Sequence, residues 1–299
     1  MSVIWLRTAA ALYSCGLLYA LIYLFRNSAQ GARHGVPEEN NFGGPGRAGR
    51  IRRAPVIDSA RLFVPALVAF GAGALFQLVA IVERWAESGH LPVNNFYETS
   101  SICAFLVAVV FLIGYSVYRF ASFGLVIFPL VFFMTLIGAT EFPVSNWSPQ
   151  ARNAWLIAHV STVLIGYAAL IFSAIASVYY LLQERQLKRK NVTPSANRLP
   201  PLATLDRIIT QTMNMGFVFI TFATVSGVIW AFLQSGTNWI GDPKIAFFLF
   251  TWAFYLAMIF LRISAGWRGR RMAWLAVSVL GCSIITWVTH VTLRSLWHP

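Results

Sequence analysis

Eight times along this chain an apolar run reaches the length that an α-helix needs to cross a bilayer, and no other feature narrows the possible folds so far. The runs fall at roughly 3–25, 61–84, 100–118, 121–141, 153–183, 215–234, 245–265 and 273–296, each close to the ~20 residues that span about 30 Å of hydrocarbon. In lipid every backbone N–H and C=O must be bonded within the protein, so spans this long and this uniformly apolar are helices. The expected fold is therefore all-α, a polytopic membrane helix bundle of about eight transmembrane helices. Composition agrees, since 58% of the 299 residues are hydrophobic, 11% are charged and the mean hydropathy is +0.65. No soluble domain of useful size is left over.

Orientation follows from the basic residues, because short loops rich in Lys and Arg stay in the cytoplasm. Alternating the loops places 18 of the 23 basic residues on the side of segments 26–60, 119–120, 184–214 and 266–272. Both termini and the loops 85–99, 142–152 and 235–244 then face outward. This is the pattern of a multi-pass protein of the bacterial inner membrane, in contact with lipid throughout. The formal charge of +13 has the same origin and gives no reason to expect nucleic acid as a partner.

Two parts follow: residues 1–60, a first helix with a Gly- and Arg-rich cytoplasmic connector that contains His34, and residues 61–299, a seven-helix membrane domain. The first run carries only Arg7 near its start and no small-residue cleavage site after it, so it reads as a retained helix. Residues 202–214 set Leu202, Leu205, Ile208, Ile209 and Met213 at helical spacing among polar neighbours, the pattern of a short interfacial helix leading into the sixth span. No internal repeat of the kind found in inverted-repeat transporters is visible. Cys15, Cys103 and Cys282 lie singly in apolar segments without a CxxC pair, which suits small packing side chains.

The chemistry gathers at the outer face. Of five histidines, His159, His290 and His298 stand in or beside outer helix ends, and His90 lies in the first outer loop. At 1.5 Å per residue, His159 lies roughly 9 Å below the start of its helix and His290 roughly 9 Å below the end of its own. If the fifth and eighth spans are neighbours, their imidazoles can ligate one haem iron from opposite faces. The plainer alternative is a ring bonded to a backbone carbonyl or to Thr162 or Thr289. Two outer loops add polar groups: Asn94, Asn95, Tyr97 and Glu98 at the mouth of the third span, and Trp230, Trp239, Asp242 and Lys244 around the sixth loop. Helix capping accounts for Asn94 or Asn95, and the helix dipole suits Glu98. An aromatic belt accounts for Trp230 and Trp239 but not for Asp242-Pro243-Lys244.

Taken in order, these pieces resemble the cytochrome c assembly family, which includes CcsA- and ResC-type proteins and is related to CcmC and CcmF. The run Gly227-Val228-Ile229-Trp230-Ala231, followed by Gly236, Trp239, Asp242, Pro243 and Lys244, is similar to its tryptophan-rich loop ending in WDPKE. Asn95-Phe96-Tyr97-Glu98 resembles its NxYE element, Trp155 to Val160 with Tyr167 its WLxxHV helix, and Gly266-Trp267-Arg268-Gly269 its turn before the last helix. The resemblance covers roughly residues 60–298 and departs at Ser235, Gly241, Ile245 and Phe260, where the family has two tryptophans, a glutamate and a seventh-helix histidine.

The resemblance implies a haem-handling component of cytochrome c maturation. It would hold b-type haem non-covalently through His159 and a C-terminal histidine, with Trp239 and its neighbours against the macrocycle. Motif register favours His298 as the second ligand and matched depth favours His290. A partner membrane subunit and apocytochrome c are the implied partners, and part of a haem lyase the implied enzyme role. The departures suit an alternative, a non-enzymatic accessory subunit of a larger membrane complex. A small-molecule carrier is the third reading, and it rests only on the helix count and the outer polar cluster.

Overall fold

The computed structural model describes residues 2–33, 56–89, 91–93, 96–140, 154–188, 200–237 and 243–297. They form eight helices: α1 (Ser2–Arg33), α2 (Val56–Ser88), α3 (Phe96–Tyr118), α4 (Gly124–Gly138), α5 (Ala154–Lys188), α6 (Leu202–Ser235), α7 (Pro243–Ser264) and α8 (Arg270–Trp297), with a single 3-10 turn (Ala121–Phe123) before α4. Each apolar run has become one helix. Seven of them, α1 to α7, are long and apolar enough over their described side chains to cross a membrane. The side chains of α8 are described only as far as Thr286. Of the Gly- and Arg-rich connector, residues 34–55, His34 among them, lie outside the described residues.

In lipid, apolar surface gains little by leaving a solvent as apolar as itself, so helix pairing depends on close packing and on hydrogen bonds between helices. The first four helices use both. Phe70 of α2 and Phe128 of α4 stack with centroids 4.3 Å apart, and Phe111 of α3 meets both edge-on at 5.4 and 5.5 Å. Nearer the outer side, Gln77 of α2 is 0% exposed and ties four helices together. Its carbonyl accepts the Tyr13 hydroxyl of α1 at 2.7 Å, and its amide donates to the Ser101 carbonyl of α3 at 3.0 Å and to the Thr135 hydroxyl of α4 at 3.1 Å. Tyr13 itself is fully buried, so α1 is built into the bundle.

The second four helices are organised around α5, which packs on α6, α8 and, across the bundle, α3. Small residues let α5 and α6 approach: a Cβ on Gly166 would lie 2.7 Å from the Ile220 side chain, and one on Gly216 would lie 3.4 Å from the Gly166 carbonyl. The expected interfacial helix at 202–214 is absent as a separate element. It is the first part of the continuous α6, and Leu205, Ile208, Ile209 and Met213 are 0–1% exposed. Their apolar stripe lies in the protein core rather than on a lipid surface.

The α6–α7 pair makes a thinner interface than α5–α6 and is crossed by three polar rungs in antiparallel order. Arg262 donates to Asp206 at 3.3 Å near the basic-loop end, Tyr255 to the Met213 carbonyl at 2.7 Å midway, and Trp252 to Thr221 at 3.1 Å toward the outer end. α8 joins the group through the Thr251–Thr286 hydroxyl pair at 2.7 Å and through Met272, Ala273, Ala276 and Val279, all fully buried.

Candidate functional site

His159 is half-buried on α5 and faces α6 near its outer end. Its Nδ1 lies 2.9 Å from the Ala223 carbonyl oxygen and 3.1 Å from the Ser226 hydroxyl. A carbonyl oxygen can only accept, so in the neutral ring Nδ1 carries the proton and Nε2 keeps its lone pair. Among the described residues Nε2 has no hydrogen bond, while Thr162 donates to carbonyls of its own helix. Of the two roles open to this ring, the carbonyl bond occupies one nitrogen and leaves the other for ligation. Ligating histidines are oriented in this way, by a hydrogen bond from the nitrogen that does not bind the metal.

Two neighbours fix the ring. Gly227 supplies the space, since a Cβ there would sit 2.7 Å from His159 Cε1. Trp155, one turn earlier on α5, donates its indole N–H to the Ser226 carbonyl at 2.9 Å and clamps the same turn of α6. Ala223, Gly227 and Trp230 follow one another at i, i+4 and i+7, so half-buried Trp230 stands one turn further out on the face of α6 that meets His159.

The level of α8 is set at the opposite end of the bundle. A Cβ on Gly269 would lie 2.7 Å from the Tyr180 hydroxyl, which puts the start of α8 beside the later part of α5. From that point, twenty-one residues lead back along α5 to His159 and twenty-one forward along α8 to His290. Both paths span about 32 Å at the α-helical rise, along two neighbouring helices. The His290 side chain, His298, His90, Asn94, Asn95, Trp239, Gly241 and Asp242 lie outside the described residues.

Tyr97 and Glu98 open α3, on the side of the first four helices. Glu98 accepts from Arg84 of α2, with Nε and Nη2 both 3.2 Å from one carboxylate oxygen, and Tyr97 meets Phe96 edge-on at 5.5 Å. Phe260, where the family resemblance would put an intramembrane histidine, is 64% exposed on the outward face of α7. The turn Gly266-Trp267-Arg268-Gly269 reverses the chain between α7 and α8. Both of its glycines have positive φ (63° and 66°), and the Gly269 N–H bonds Asp206 at 3.1 Å.

Sequence reasoning passed over Ser226 and the Ala223 carbonyl. A backbone carbonyl has no signature in a sequence. The serine beside Gly227 was the only trace of this arrangement, and a lone serine in an apolar run most often bonds its own helix, as Ser226 also does through the Ala223 carbonyl at 3.0 Å.

The sequence profile described as Cytochrome C assembly protein matches residues 93–297. The chain is 31% identical over 228 residues to the cytochrome c biogenesis protein CcsA of Prochlorococcus marinus subsp. pastoris, covering 68% of this chain and 73% of that one. It is 32% identical over 228 residues to CcsA of P. marinus strain MIT 9312, with 68% and 74% covered. With CcsA of Crocosphaera subtropica the identity is 25% over 269 residues, covering 71% and 79%. No solved structure matches the chain.

Proposed function

This chain belongs to the cytochrome c assembly protein family, and from that premise we propose that it works in cytochrome c biogenesis as a membrane component that holds haem at the outer face. It sits in the bacterial inner membrane with its basic loops in the cytoplasm. Haem is its cargo, bound non-covalently, and when bound supplies the group to be attached to the CxxCH thiols of an apocytochrome. A partner membrane subunit completes that transfer.

The observation that carries the reading is the state of His159: Nδ1–H committed to the Ala223 carbonyl, Nε2 left with its lone pair. A neutral imidazole fixed in this way is the form that ligates iron. A C-terminal histidine, His290 on the neighbouring α8 or His298 after it, would supply the second ligand. The protein's own part is binding and orientation: Gly227 makes room for the ring, Ser226 and Ala223 fix its tautomer, and Trp155 holds the turn of α6 that carries them. Trp230 and Trp239 supply flat apolar surface for the macrocycle.

A second reading, a diverged accessory subunit without haem, draws on Phe260, whose side chain is turned away from the bundle. One measurement separates the two. Full-length protein purified in detergent is expected to show the optical bands of six-coordinate, bis-histidine haem, and His159→Ala to lose them. A colourless wild-type protein that copurifies within a stable complex would overturn the haem reading in favour of the accessory one. Cytochrome c maturation in a deletion strain then tells an assembly factor from a haem-bearing subunit.

A further inference from the structure

On the opposite side of the membrane from His159, four helices meet around one carboxylate. Asp206 of α6 accepts from Arg262 of α7 through Oδ2 at 3.3 Å and from the Gly269 N–H through Oδ1 at 3.1 Å. Arg262 also bonds Thr210, and Tyr180 of α5 lies against Gly269. The Arg262 side chain is only 11% exposed, and its Nη1 is buried without a hydrogen-bond partner among the described residues. Asp206 is its ion-pair partner there.

Two facts make this contact more than a local staple. First, α6 and α7 share a thin interface, so three polar rungs rather than broad packing define how far one slides along the other. Only the Asp206 rung reaches both α7 and the turn into α8. Second, α7 and α8 form a hairpin closed by the short Gly266–Gly269 turn, so whatever fixes the turn fixes both helices. A helix can shift in steps of up to one turn, about 5.4 Å, and a shift of that size moves a side chain out of reach of an iron.

We propose that Asp206 is a positioning residue: by holding Arg262 and the Gly269 N–H it sets the axial register of the α7–α8 hairpin against α5 and α6, and so the level at which the C-terminal end of α8 presents a histidine ligand to the haem bound by His159. The last clause rests on the haem reading; the register itself does not. Without the carboxylate, Arg262 is a buried charge lacking its counter-ion, and the route to water open to it is movement of the hairpin toward the basic-loop side. The effect is independent of whether His290 or His298 is the ligand, because His290 belongs to α8 and His298 follows that helix in the sequence.

The test uses the full chain with Thr221→Cys and Trp252→Cys across the outer rung, in a background carrying Cys15→Ala and Cys282→Ala, and a short thiol-specific bifunctional reagent. With Asp206 intact the pair is expected to cross-link readily, and D206A to cross-link several-fold more slowly. D206N keeps an oxygen for the Gly269 N–H without the charge and should be intermediate; D206E, which restores the charge, should recover most of the rate. If D206A does not accumulate, D206N against D206E carries the comparison. The same variants without added cysteines are then loaded with haem, and D206A is expected to change from six-coordinate to five-coordinate spectra while His159 stays bound. Cross-linking of D206A or D206N at the parent rate would overturn the proposal, whatever the spectra show. A parent that takes up no haem, yet loses cross-linking on D206A, would overturn the haem reading and leave the register assignment standing.

Discussion

Two polar sites within the bundle, one in each half, differ in whether they are finished. At Gln77 the amide carbonyl and both amide hydrogens have partners, drawn from α1, α3 and α4. At His159 one ring nitrogen is committed to α6 and the other holds a lone pair with no hydrogen bond among the described residues. Polar side chains in membrane helices are costly, and Gln77 is buried and His159 half-buried; what separates architecture from function is whether the group's bonding capacity is exhausted. Gln77 locks four helices into one arrangement. His159 is held by its neighbours with Nε2 left unbonded among the described residues.

The largest test of that contrast is the pair His159→Ala and Gln77→Leu. Removing the imidazole is expected to abolish the haem spectrum and leave the unfolding midpoint nearly unchanged, because Ala223 and Ser226 still bond within α6. Gln77→Leu should do the opposite. Interhelical hydrogen bonds in membranes average about 0.6 kcal/mol, so losing three costs about 2 kcal/mol in an SDS or steric-trap unfolding assay, with the haem bands retained in the folded fraction. Equal effects of the two substitutions on both readouts would break the comparison.

How far the sequence carries this distinction depends on the residue. The eight helices are legible because length and apolarity act locally. The stripe at Leu205, Ile208, Ile209 and Met213 misleads because an amphipathic face reads alike whether it rests on lipid or on another helix. Gln77 is silent in the sequence: one glutamine in an apolar run has no visible partners, since they come from positions 13, 101 and 135. Glu98 is visible as a candidate, but its bond to Arg84 depends on how α2 and α3 pair.

A finer test acts on the orientation of His159 alone. Ser226→Ala removes one acceptor from the Nδ1–H and leaves the Ala223 carbonyl in place, so the tautomer survives and the ring is less firmly held. Loss of such a supporting bond weakens metal binding by about tenfold at the low end of its usual range, and the haem dissociation rate is the measurement. Gly227→Ala is the harsher companion, since its Cβ would meet Cε1 at 2.7 Å and push the ring from its place. Its haem should therefore dissociate faster than that of Ser226→Ala. The reverse order would mean that the Ser226 hydrogen bond, rather than the space, governs binding.

The smallest expected effect concerns the ion pair at the outer end of the first half. Arg84 and Glu98 join α2 to α3 at 3.2 Å, with 32% and 14% of their side chains exposed. Partial exposure screens the pair, so Arg84→Gln is expected to cost less than about 1 kcal/mol of stability. If Glu98 has no part in cargo binding, the substitution leaves haem retention unchanged, and the first half is architectural up to its outer rim. If loss of the Arg84 contact alters the haem spectrum while stability holds, the carboxylate belongs to the cargo site, and the boundary between the two halves runs through α3 rather than between α4 and α5.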